Sequence, residues 1–129
     1  MQFAIGMITF VIMTIETLEH KIIDCFKSLN AEKIILFGSM AYGTPDTDSD
    51  VDILIVTSDN NIPANLGEFL KLKKAYSDAL NEIRDNYPVD LILHTRPMYQ
   101  KFIEHGSSFS REILTRGKVI YERNNQAMA

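Results

Sequence analysis

Asp50 and Asp52 flank a single valine at the head of the apolar run Ile53-Leu54-Ile55-Val56. Side chains two apart on a strand leave the same face, so both carboxylates aim at one point. Two anionic groups brought together repel each other unless a cation lies between them. Oxygen ligands of this kind suit Mg²⁺, which completes its shell with substrate phosphates. Asp90, second residue of the stretch Val89–Leu93, supplies a third carboxylate on an apolar strand. Upstream, Ile34-Ile35-Leu36-Phe37 stops at Gly38-Ser39. Glycine lets the backbone approach phosphate, and Ser39 with the N–H groups opening the next turn offers donors. Ser49, just ahead of the paired acids, is a further candidate phosphate contact. The chemistry predicted is metal-dependent phosphoryl or nucleotidyl transfer. Two ions about 4 Å apart can clamp the attacking and leaving oxygens of an in-line displacement. Asp50 and Asp52 would bridge them. Asp90 would ligand the ion that activates the incoming hydroxyl, and would help accept its proton.

These residues need a scaffold that brings them to one end. Ile15, Leu18, Ile22, Cys25, Phe26 and Leu29 recur at helical steps, which predicts a helix over Thr14–Leu29. Lys33–Phe37 reads as a short buried strand. Ser39–Tyr42 is expected to form about one helical turn, N-capped by Ser39 and closed by Gly43. Asp46–Ser49 reads as a polar turn and Val51–Val56 as a second strand, apolar on both faces beyond its acids. Leu66–Tyr87 reads as one long helix stopped by Pro88. Val89–Leu93 is a third strand, Pro97–His105 and Phe109–Thr115 are helices, and Val119–Tyr121 is a short last strand. An antiparallel first pair and a helical crossover from the second strand to the third bring Gly38-Ser39, Asp50, Asp52 and Asp90 to the same end. The fold class predicted is α/β (α+β), a short mixed sheet of order 1-2-3 flanked by helices.

With 129 residues, one domain is expected. Residues 14–129 are assigned to it, and the uncharged 1–13 is read as an N-terminal extension. That extension lacks a basic leader and a cleavage site and is too short to span a bilayer. Net charge −4 argues against a nucleic-acid footprint. Cys25 is the single cysteine, which points to the reducing cytoplasm and to core packing. The Asp46, Asp48, Asp50 series imitates an EF-hand, but Val51 and Thr57 stand where glycine and glutamate are needed. His94 reads as an ordinary strand-end histidine, with a catalytic role as the minor alternative. Lys71, Lys73 and Lys74 read as a solvated face, with contact to nucleotide phosphates or an acidic partner as the minor one.

Gly38-Ser39, ten intervening residues, Asp50-Val51-Asp52 and a later Asp90 resemble the DNA polymerase β-type nucleotidyltransferase superfamily, and most of all its small MNT group. Members of that group stand beside HEPN-domain proteins in toxin–antitoxin pairs. The resemblance spans roughly Thr14–Tyr121. It implies a nucleotidyltransferase fold, Mg²⁺, a nucleoside triphosphate (usually ATP), and transfer of AMP to a tyrosine of the partner protein. Where such domains often carry arginine after the Gly-Ser pair, this chain has Met40 and Tyr42. Two other readings are a non-catalytic antitoxin with a vestigial nucleotide site and an antibiotic-modifying enzyme. The acceptor pocket is expected to need another chain, a second copy or a dedicated partner.

Overall fold

A computed structural model describes residues 15–43 and 49–123. The expected extension 1–13, most of the polar turn before the acids and the last six residues lie outside them. Along the chain come α1 (15–25), β1 (Ala31–Phe37), α2 (Ser39–Tyr42), β2 (Val51–Thr57), α3 (Leu66–Ala79), α4 (Asn81–Arg84), β3 (Val89–His94), α5 (Arg96–His105), α6 (Ser108–Arg116) and β4 (Lys118–Glu122). The sheet order is β3-β2-β1-β4. β1 is antiparallel to β2 and to β4, and β2 is parallel to β3. The expected 1-2-3 order is therefore extended, because the last strand adds to the free side of β1.

Alternation along the strands explains the layers. Ile34, Leu36, Val51, Ile53, Ile55 and Leu93 face one side, where Leu18, Ile22, Tyr76, Leu80 and Ile83 of α1, α3 and the α4 region cover them. Ile35, Phe37, Leu54 and Val56 face the other, where Ile113 of α6 and Tyr99 and Phe102 of α5 pack. β2 is thus buried on both faces, as expected of a strand at the centre of a mixed sheet. No helix among the described residues is long and apolar enough to cross a membrane.

Three sequence readings need correction. The first helix stops at residue 25, and tight turns carry the chain to β1, with the Phe26 N–H bonding Ile23 O at 3.1 Å. Ser39 is not the cap of α2: Gly38 holds that position and Ser39 is the first helical residue. The helix expected over Leu66–Tyr87 is broken at Leu80, whose φ of −92° and ψ of 3° leave the helical region. Leu80 and Ile83 are both buried, three apart. They continue the three- and four-residue steps of Phe69, Leu72 and Tyr76, so the inward-facing stripe runs on through the break. Arg84 locks the break, donating to Ser77 O at 2.6 Å and Ser77 Oγ at 2.7 Å. Arg84→Met should cost about 1–2 kcal/mol in urea unfolding, since charge-assisted bonds to a partly buried carbonyl are lost. An unchanged midpoint would leave the break to the burial of Leu80 and Ile83 alone.

Candidate active site

β2 and β3 run side by side in the register Asp52↔Asp90, and Asp52 lies across from Phe37 at the end of β1. Paired residues share a face, here the one that carries Leu54 and Val56 toward α5 and α6. Asp50 lies one residue ahead of β2, exposed, at the same end. The three acids named by the sequence are therefore neighbours, because an antiparallel and a parallel pairing meet at β2.

Their electrostatics are strained. Burial is the largest influence on Asp52, and it raises the carboxyl from the ordinary 3.8 to about 6. The charge of Asp90, a hydrogen bond with its side chain and the charge of Asp50 push the same way. Among the described residues no basic side chain offsets them. A divalent cation would, and in that sense the donor set fits Mg²⁺. Among the described residues no group of three or more His, Cys, Asp or Glu side chains stands ready to hold a metal by itself. That is compatible with Mg²⁺, which takes one or two carboxylates and fills its shell from water and substrate phosphates.

Gly38 has a second duty that the sequence did not disclose. Its φ is 73°, and an added Cβ would collide with Asp52 Oδ2 and stand 3.1 Å from Asp52 Cγ. Any larger residue would displace the central carboxylate, whatever happened to a phosphate. Ser39 Oγ donates to Ser49 Oγ at 3.0 Å, so the two candidate phosphate contacts meet in space. Within α2, the N–H groups of Ala41 and Tyr42 both bond Gly38 O at 3.0 Å.

Other sequence candidates lie apart. His94 sits at the far end of β3 from Asp90, its ring 4.9 Å from Phe102 and 6.2 Å from Tyr99. Burial lowers its pKa, and its buried Nδ1 has no hydrogen-bond partner among the described residues. Cys25 packs against the core, and burial raises its pKa, with Glu82 and Asp24 adding to the effect. That disfavours the thiolate. Lys74 pairs with Asp78 at 2.6 Å on the exposed face of α3, as a solvated helix surface would. One residue went unnoticed in the sequence. The Arg116 guanidinium carbon lies 4.0 Å from the centroid of the Tyr42 ring. No local spacing links them, because the contact arises only when α6 returns along β1.

The raised Asp52 pKa has a sign that can be tested. The protonated form is the one favoured on folding, so this group's contribution is full below about 4 and is lost as pH rises through about 6. In chelator, Asp52→Asn should melt a few degrees above the wild type at pH 7.5, a gain held down by solvent around the half-buried group. The gain should shrink toward zero at pH 4. Equal melting temperatures at pH 7.5 would contradict the electrostatic account.

A model of the family "Polymerase beta, Nucleotidyltransferase" matches residues 20–126. No curated protein matches the sequence. Among solved structures, the chain is similar to one from a toxin–antitoxin crystal structure with AMP-PNP, at 23% identity and a TM-score of 0.51, covering 85% of this chain and 77% of that one. It is also similar to a candidate nucleotidyltransferase from Sulfolobus solfataricus, at 19% identity and a TM-score of 0.55, covering 89% and 86%. Those likenesses are of fold. With a family model spanning both the Gly-Ser turn and the three acids, the chain belongs to the polymerase β nucleotidyltransferase family.

Proposed function

We propose that this chain transfers a nucleoside monophosphate, AMP from ATP in the first instance, to a hydroxyl on a partner protein, using Mg²⁺. The observation that carries the reading is the register Asp52↔Asp90 with Gly38 closed against Asp52. It places two carboxylates side by side next to a Gly-Ser turn. Asp50, Asp52 and Asp90 would share the ligation of Mg²⁺ with water and the substrate phosphates, and the metal would supply Lewis-acid stabilisation of charge on the transferring phosphoryl group. Gly38, Ser39 and Ser49 would contact the nucleotide phosphates. Asp90, exposed on an edge strand, would receive the acceptor's proton. In the transfer, the hydroxyl oxygen bonds to the α-phosphorus while the bond to the bridging oxygen of the β-phosphate breaks. Pyrophosphate leaves and the hydroxyl proton passes to the carboxylate.

The acceptor assignment draws on the open geometry and on the neighbour from a toxin–antitoxin structure with AMP-PNP. Among the described residues β3 is an edge strand and its Asp90 is exposed, yet the hydroxyl must be held in line. A HEPN-type partner would complete that pocket in the cytoplasm, with residues 14–129 acting as the one nucleotidyltransferase domain.

Labelling tests the proposal. The protein should be incubated with Mg²⁺ and α-labelled ATP, with and without lysate from cells expressing a HEPN-domain protein. Label should appear on a partner side chain. Asp52→Asn should abolish it and weaken Mg²⁺–ATP binding by at least about tenfold, whereas Asp90→Asn should lower turnover more than binding. Label on a small-molecule alcohol would favour an antibiotic-type enzyme. Nucleotide binding without any transfer would favour a non-catalytic antitoxin.

A further inference from the structure

We propose that Tyr42 and Arg116 form a subsite for the polyphosphate tail of the nucleotide, a step that rests on the nucleotide-binding reading above. Both lie in the layer that holds the acids. Tyr42 closes α2, three residues after Ser39, and packs with Phe37, the cross-strand neighbour of Asp52. Arg116 ends α6, and two residues later Lys118 pairs with Leu36, which fixes the end of α6 at the carboxylate end of the sheet. The guanidinium carbon stands 4.0 Å from the tyrosine centroid. Stacking occupies a face of the guanidinium and leaves its N–H edge able to grip phosphate oxygens as a fork.

The charge balance asks for such a group. A triphosphate brings several negative charges to an end of the sheet that already carries Asp50, Asp52 and Asp90. Cations bound near the acids serve the reacting phosphate, while the departing pyrophosphate needs a fixed positive group of its own. Two other described cations near this end are already held. Arg84 is bonded to Ser77 O and Oγ, and Lys118 to Glu19 Oε1 at 2.7 Å. Arg116 has an ion pair with Glu112, but at 3.8 Å on an exposed helix face it is weak. The ring therefore positions the guanidinium, and the guanidinium binds.

Calorimetry in Mg²⁺ with ATP, AMP and inorganic triphosphate reads this directly. Arg116→Gln should weaken ATP and inorganic triphosphate about tenfold and leave AMP within about twofold, the effect of losing a charge-assisted pair. Tyr42→Leu should cost nearly as much, and the double variant no more than the larger single, because the two act as one unit. Arg116→Lys should recover little, lacking the fork. Lys71→Gln, on α3 across the sheet, should change nothing. Unchanged triphosphate affinity in Arg116→Gln, an equal loss for AMP, an equal loss in Lys71→Gln, or a wild type that binds no triphosphate would each overturn the subsite. The expected affinity pattern without label on any acceptor would support the subsite and remove the transfer reading instead.

Discussion

Carboxylates forced together at the end of an apolar strand set the terms for the rest of this molecule. Asp52 is the centre of that constraint: β1 closes on one side of it with Gly38, and β3 brings Asp90 to the other. Unpaired, such a group costs free energy on burial. The protein tolerates the cost because β2 beyond Asp52 is buried on both faces, from Ile53 to Val56. Each such side chain contributes on the order of 1.5–3 kcal/mol of burial, and the four together outweigh what one half-buried carboxylate takes away. Stability is supplied by the strand interior and spent at its tip.

The same constraint explains the absence of a side chain at Gly38. A sequence reading gives that glycine to the phosphates, whereas the fold gives it first to Asp52. The two duties are compatible, since a carboxylate pressed to the turn brings any cation it binds to the place where the turn can meet phosphate. Ser39 and Ser49, ten residues apart, meet there as well. The turn and the head of β2 thus behave as one unit joined through side chains.

Much of this was legible in the sequence because it depends on short-range pattern. Strand alternation, the Gly-Ser break and acids at i and i+2 fix which residues share a face, and one right-handed crossover rule then brings Asp90 alongside. The break at Leu80 was not legible: Phe69, Leu72, Tyr76, Leu80 and Ile83 all satisfy one helical period, so nothing in their spacing marks where the backbone leaves the helix, and the Arg84 bonds to Ser77 that accompany it span seven residues. The edge position of β4 was equally hidden, since nothing in Lys118–Glu122 distinguishes the two sides of the sheet. Tyr42 with Arg116 is the extreme case. A contact between a four-residue helix and the end of α6 depends on the packing of every element in between.

The acids differ in exposure, and this difference bears on direction of approach. Asp52 is half-buried between β1 and β3, whereas Asp90 is exposed on a strand whose outer edge has no neighbour in the described sheet. Tyr42 and Arg116 lie on the opposite flank, over the end of β1. Under the proposed transfer, a triphosphate laid across the head of β2 would have its leaving end toward Arg116 and its α-phosphorus near Asp52. An in-line acceptor must then come from the β3 side, past Asp90. Among the described residues that side ends in a strand edge. Under that proposal the chain would bind its nucleotide with its own residues and leave the acceptor's position to a protein surface docked beside β3.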